Sequence, residues 1–187
     1  MFYFNFRSEF RCLIAGGGTS GGVTYMAEQI KNTDSETVYV DFSKASRHIA
    51  ERRTKFRTNL NIVFVTAWIE ALPFHGLGNF DFISSTGVLH HLKCPQICMN
   101  VLNNLQSEDG GAIISVYGTY ARNGIYQVQE LMKLIYHKVP SIKKELNDAK
   151  VILSILPKNH WFHTIKITDI IYYGDDRPFA ASIVDFF

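Results

Sequence analysis

No apolar run in this 187-residue sequence approaches the roughly 20 residues a membrane-spanning helix needs, so spanning by a helix is excluded. The opening Met1-Phe2-Tyr3-Phe4-Asn5-Phe6 is apolar but stops at Arg7, Glu9 and Arg11. It is too short for a signal-peptide core and no basic segment precedes it. Cysteine is scarce: Cys12, Cys94 and Cys98 are an odd number without framework spacing, which argues against a disulfide scaffold and for a reducing compartment. Charge of one sign is also lacking. Nineteen basic and 17 acidic residues leave a net +2, too little to demand nucleic acid or an anionic membrane as partner. Repeats, low-complexity tracts and inter-domain linkers are missing as well. The expectation is a soluble, cytoplasmic, single-domain protein across residues 1–187, and 47% hydrophobic residues are enough for a sizeable core.

What the sequence does contain is a glycine run, Ala15-Gly16-Gly17-Gly18-Thr19-Ser20-Gly21-Gly22, directly after the apolar Cys12-Leu13-Ile14. A strand that breaks into glycines and then starts a helix lets backbone amides approach a ligand closely. Glycine supplies the positive φ and the missing Cβ. The helix that follows adds free N–H groups and the positive end of its dipole.

Apolar and β-branched runs alternate with amphipathic stretches through most of the chain. Strands are predicted at Arg11–Ala15, Thr37–Val40, Asn61–Val65, Phe80–Ser85 and Ala112–Tyr117. Helices are predicted at Gly21–Lys31, with Val23, Ala27 and Ile30 on one side, and from a Ser43 cap to about Phe56, with Ile49, Ala50 and Phe56 inward. A further helix is predicted at Cys94–Leu105, ended by the turn Glu108-Asp109-Gly110-Gly111. This alternation predicts an α/β, Rossmann-like doubly wound fold: a mainly parallel sheet with helices on both faces, its strands buried on both sides. Functional loops then gather at the carboxyl ends of the strands, from Gly16, Asp41, Thr66, Ser85 and Gly118. After Tyr117 the spacing of Ile125, Val128, Leu131, Met132 and Ile135 predicts a helix over Gly124–Val139, and Pro140-Ser141 starts another towards Leu156. Residues 11–118 thus read as a cofactor-binding core and 119–187 as a helical and irregular acceptor or cap region.

Gly16-x-Gly18-x-x-Gly21, with Asp41 about 20 residues further on, matches the dinucleotide fingerprint. A carboxylate after the second strand can accept hydrogen bonds from two ribose hydroxyls. Nicotinamide and adenosylmethionine enzymes both use such an acid, so the loop and Asp41 leave the two open.

The later segments carry a more specific likeness. The sequence runs Leu13-Ile14-Ala15-Gly16-Gly17-Gly18-Thr19, Val40-Asp41-Phe42-Ser43, Ala67-Trp68-Ile69-Glu70-Ala71-Leu72-Pro73 and Phe80-Asp81-Phe82-Ile83. It continues with Gly87-Val88-Leu89-His90-His91-Leu92 and Asp109-Gly110-Gly111-Ala112-Ile113-Ile114. Over residues 11–118 the chain resembles the class I S-adenosylmethionine-dependent methyltransferases. The resemblance implies S-adenosylmethionine as cofactor and methyl transfer to an acceptor it does not identify; a small molecule or a protein is expected, the weak net charge disfavours nucleic acid, and no metal is expected. It places Ala15, Gly16 and Gly18 under the methionine moiety and Asp41 on the ribose. It puts Phe42 beside the adenine, Ala67 and Trp68 against the adenine ring, and Ser85, Thr86 and Gly87 at the methionyl end. Three positions depart from the family: Ile14 where an acid often stands, Ser20 where the third glycine falls, and Trp68 where an acid commonly bonds the adenine amino group. The strands that normally close the sheet, the sixth and seventh, have no counterpart in the sequence, which reads as a trimmed member or part of a longer chain.

Other residues admit chemistry of their own. His90 or His91 could act as a general base, although positioning the loop is the safer role. His90, Cys94 and Cys98 recur every four residues but lack a second ligand pair for zinc. Tyr117, Tyr120, Arg122, Tyr126 and Gln127 could line an acceptor pocket or simply pack, and His160, Trp161 and His163 read as packing. Two rival readings stay open: a nicotinamide-dependent oxidoreductase, which leaves Gly87–Leu92 unexplained and lacks a Tyr-x-x-x-Lys pair, and a non-catalytic scaffold.

Overall fold

The computed structural model describes residues 9–19, 21–31, 33–57, 59–120, 122–136 and 142–160. Five strands, β1 (Arg11–Ala15), β2 (Glu36–Asp41), β3 (Ile62–Thr66), β4 (Phe80–Thr86) and β5 (Gln106–Ser115), pair in parallel in the order β3-β2-β1-β4-β5. The order reverses between β1 and β4, so the loops leaving these two neighbours diverge and open a crevice at their carboxyl ends. The chain divides into two compact units, Met1–Val116 and Tyr117–Phe187.

In the first unit, side chains alternate across the sheet and build a core on each face. Leu13, Ala15, Val38, Val40 and Ile83 pack with Cys98 and Leu102 of α3 (Pro95–Asn104) and with Ile69 and Leu72 of the 3-10 turn Ile69–His75. Cys12, Ile14 and Tyr39 point the other way, onto Val23 of α1 (Gly21–Ile30) and Ala50 of α2 (Lys44–Thr54). The doubly wound, mainly parallel expectation therefore holds. The Ser43 cap also holds: its side chain accepts from Ser46 N–H at 3.2 Å, satisfying one of the helix's free donors.

Two local expectations fail. Phe56 is 91% exposed, because α2 ends at Thr54 and Phe56 falls beyond the helix's inner stripe; Ile49 is 40% exposed. The strand expected at Ala112–Tyr117 begins at Gln106 and ends at Ser115. Phe80 pairs with Gln106 but Phe82 with Gly111, so the Glu108–Gly111 turn sits inside the strand as an irregularity, held by Gln106 Nε2 donating to the Gly110 carbonyl at 2.7 Å. As the edge among the described residues, β5 is not buried on both sides, and Ile113 is exposed.

The second unit contains α4 (Asn123–Ile135) and α5 (Ile142–Ile155), joined by a small core of Ile125, Val128, Met132, Ala149 and Leu153. Leu131 and Ile135, expected on the same stripe, are exposed at its margin. The stretch expected to lack closing strands lies, beyond His160, outside the described residues. Among the described residues no helix is long and apolar enough to cross a membrane.

Leu13 is fully buried at the sheet centre. Leu13→Ala is expected to lower the unfolding free energy by about 3 kcal/mol in urea titration, and Ser43→Ala by about 1 kcal/mol.

Candidate functional site

The glycine loop after β1 is shaped by three consecutive residues of β2. Val40 carbonyl accepts from Gly16 N–H at 2.8 Å and from Gly17 N–H at 3.0 Å. Asp41 Oδ2 accepts from Gly18 N–H at 2.8 Å, and the Tyr39 hydroxyl donates to the Gly18 carbonyl at 2.6 Å. Gly18 is thus held on both sides of its own residue, with a left-handed φ of 53°. Glycine is required here for space as well as conformation. A Cβ on Gly16, whose φ is 78°, would lie 2.4 Å from Val88 Cγ2, and one on Gly17 would lie 2.3 Å from the Tyr39 ring. In front of Gly18 and Gly87 there is open space. Burial pushes the Tyr39 phenol well above its ordinary range, with the Asp41 charge adding to the effect, so the hydroxyl stays a donor to Gly18.

Asp41 is 8% exposed. Its second oxygen, Oδ1, accepts from Ser43 N–H at 2.8 Å. Two backbone amides therefore fix the carboxylate, and each oxygen keeps a lone pair for a further donor. Ala67 is nearly buried and donates its N–H to the Asp41 carbonyl at 3.1 Å, tying the end of β3 to the end of β2.

Phe42 and Trp68, both more than half exposed, stack on each other with ring centroids 4.5 Å apart and an interplanar angle of 12°. The expectation put both against one ligand ring. At this separation the two rings are in direct contact, so a planar ligand meets the pair from outside rather than between them. Ser85 and Thr86 are the last residues of β4, paired with Ile114 and Ser115 of β5, and Gly87 follows them. Ser85 is fully buried and its Oγ has no hydrogen-bond partner; Thr86 is exposed; Gly87 has φ 73° and donates to the Ser115 carbonyl at 3.0 Å. All ten expected site residues (Ala15, Gly16, Gly18, Asp41, Phe42, Ala67, Trp68, Ser85, Thr86 and Gly87) lie in the first unit, at or just beyond strand carboxyl ends.

The remaining candidates separate. His90 and His91 close a 3-10 turn after Val88, with their Nε2 atoms 2.9 Å apart, so one ring donates and the other accepts. Cys94 is exposed and Cys98 fully buried, and no group of metal-ligating side chains exists among the described residues. Tyr117, Tyr120, Arg122, Tyr126 and Gln127 belong to the second unit, where the Arg122 guanidinium lies 3.6 Å from the Tyr117 ring centroid. Ser20, Trp161 and His163 fall outside the described residues. Sequence reasoning missed Tyr39, a long polar aromatic two residues before the acid. It pairs with Ile14 in the parallel β1–β2 ladder, two residues before the first glycine, so its long side chain could reach the loop.

Three comparisons bear on this site. The sequence model of the methyltransferase domain family matches residues 13–112, more than half of the chain. An uncharacterized protein of Synechococcus is 30% identical over 129 residues, covering 67% of this chain and 30% of that protein. Among solved structures, PKMT2 from Rickettsia typhi in complex with AdoHcy superposes with a TM-score of 0.66 at 18% identity, over 95% of this chain and 35% of that one. YcgJ from Bacillus subtilis gives a TM-score of 0.54 at 20% identity, over 67% of this chain and 54% of that one. The chain therefore spans about a third to a half of the length of these relatives.

Burial pushes the Cys12 thiol up to about 12, and burial together with the Glu70 carboxylate does the same for Cys98. Both stay protonated at neutral pH, and a protonated thiol is a poor nucleophile. At pH 8 a disulfide reagent is expected to titrate Cys94 alone in the native protein and all three thiols in guanidinium. Rapid native labelling of Cys12 would contradict the packing described for β1.

Proposed function

This chain belongs to the methyltransferase domain family, and from that premise we propose that it transfers a methyl group from S-adenosylmethionine to a small-molecule or protein acceptor. The observation that carries the proposal is the grip of Asp41 on Gly18: a buried carboxylate, fixed by two amides, beside a glycine loop with open space in front of it. The residues present fit the cofactor. Asp41 has spare acceptor capacity for two ribose hydroxyls, the Phe42–Trp68 pair offers an exposed aromatic face for the adenine, and Gly18 and Gly87 leave room for backbone approach. Ser85 Oγ is a buried polar atom lacking a partner at the end of β4, where the resemblance expects the methionyl end. Trp68 cannot accept a hydrogen bond from the adenine amino group, so stacking stands in for that contact.

When bound, the cofactor supplies an electrophilic methyl on a sulfonium, already activated. The protein's part is then geometric. The glycine loop and Asp41 fix one side of the crevice, and Gly87 and Val88 bound the other. Aligning the acceptor with the methyl and excluding water lowers the barrier without a dedicated catalytic side chain. In this reading residues 11–118 form the cofactor core and 119–187 the acceptor side.

Calorimetric titration with S-adenosylhomocysteine tests the proposal. Micromolar binding is expected, weakened about tenfold or more by Asp41→Ala and about fivefold by Tyr39→Phe, since the latter loses one hydrogen bond of roughly 1 kcal/mol from the loop. Tight binding of NADH in its place, or of neither ligand, would overturn the reading.

A further inference from the structure

The outer faces of α1 and α2 take no part in the site above, yet they carry the densest charge in the chain. Between Lys44 and Arg57 the sequence sets six cations, Lys44, Arg47, Arg52, Arg53, Lys55 and Arg57, against Glu51 alone. That local excess of five exceeds the net +2 of the whole chain, so the remainder is net −3. Some of these cations are used within the fold. Arg47 pairs with Glu51 at 2.7 Å, Arg57 with Glu28 at 2.8 Å, and Arg53 donates to the Thr19 carbonyl at 2.7 Å. Lys44, Arg52 and Lys55 are exposed, and their side chains have no hydrogen-bond or ion-pair partner among the described residues. Arg52, Arg53 and Lys55 crowd the end of α2, where the two neighbouring acids, Glu51 and Glu28, are already paired with Arg47 and Arg57.

Two aromatic rings stand among these charges. Phe56 is 91% exposed and Tyr25 65% exposed, and neither has a ring partner among the described residues. Each lines a cleft. One, of about 660 Å³, has Tyr25, Arg53 and the Arg57–Glu28 ion pair in its wall; the other, of about 350 Å³, has Ile49, Arg52, Arg53 and Phe56. Arg53 belongs to both, so the clefts adjoin. A membrane surface would use the cations and a protruding apolar tip but has no use for concave clefts. An acidic peptide would use the cations, and it would use the rings only where it also carried aromatic side chains in step with its acids. A single strand of nucleic acid uses every part: phosphates on Arg and Lys, and bases on ring faces and guanidinium planes.

We propose that this face binds single-stranded nucleic acid, with the backbone tracking Arg52, Arg53, Lys55 and Arg57 and with bases stacked on Tyr25 and Phe56. The inference does not rest on the methyl-transfer reading: Arg53 touches the glycine run through the Thr19 carbonyl, but Tyr25, Arg52, Lys55 and Phe56 are none of the ten residues assigned to the cofactor.

Fluorescence anisotropy of the full chain with a labelled 12-nucleotide single-stranded RNA of mixed sequence tests it. Micromolar binding at low salt is expected, with log K falling against log salt at a slope of about −3, as for roughly four phosphate contacts. The double substitution Arg52→Glu with Lys55→Glu is expected to weaken binding about tenfold or more and to flatten the slope. Phe56→Ala is expected to weaken it about fivefold while leaving the slope unchanged, the mark of a stacking contact. All three side chains are exposed, so both variants are expected to keep the wild-type circular dichroism and melting temperature. Equal RNA affinity in wild type and the charge variant would overturn the proposal. So would binding of phosphatidylserine vesicles or polyglutamate that the RNA fails to displace.

Discussion

The hydrogen bond from Gly18 N–H to the Asp41 carboxylate is the contact on which the architecture of the site depends. It joins the two loops that follow β1 and β2 at their carboxyl ends, and it places a buried acid beside a backbone with no side chain. An ionised carboxylate receiving amide donors in a partly dry setting makes a strong, short bond. Asp41 also receives Ser43 N–H, which sets the start of α2, so one side chain fixes both the glycine loop and the helix that follows the acid. β2 supplies the rest of the clamp through the Val40 carbonyl and the Tyr39 hydroxyl. Three successive residues, pointing alternately to the two faces and along the plane, thereby shape a loop that makes no regular structure of its own.

The crevice follows from that clamp and from topology. Because strand order reverses between β1 and β4, Gly16 meets the loop after β4, and Val88 approaches so closely that no Cβ fits on Gly16. The first and second glycines are therefore packing residues, occupied by Val88 and Tyr39, whereas Gly18 and Gly87 border open space. A single run of glycines thus contains two kinds of position, one excluding side chains for the fold's sake and one leaving room for something else. Phe42 and Trp68 extend the same edge outward, and their direct stacking turns two exposed rings into one slab.

How much of this was legible in the sequence can be judged residue by residue. The strands before β5 were readable because runs such as Leu13-Ile14-Ala15 and Val38-Tyr39-Val40 are apolar on both faces, and burial on both faces is what central parallel strands require. Asp41 was readable because its position is set by chain order, at the end of β2. Tyr39 was not, since a tyrosine inside a strand looks like core until its hydroxyl is seen to reach Gly18. β5 was misread because Glu108-Asp109-Gly110-Gly111 has the composition of a turn. It is one, but it interrupts the ladder rather than preceding it. Phe56 was misread for a related reason: periodicity extends a helix as far as apolar residues recur, while α2 ends at Thr54 and the chain closes a tighter turn, Arg57 N–H donating to the Thr54 carbonyl.

Net charge misleads for the same reason that periodicity does, since both average over positions the fold treats differently. A net +2 over 187 residues excludes little when six cations and one acid occupy 14 consecutive positions. Beyond a Debye length of about 8 Å at physiological salt, the distant acids that balance the total are screened and cannot neutralise the patch. A ligand near α2 meets the local field, and it also meets Phe56, which is exposed there because the helix stops early. The misread helix end and the underestimated charge are therefore one feature of the molecule: a short helix whose last turn carries cations and whose next residues present a ring to the solvent.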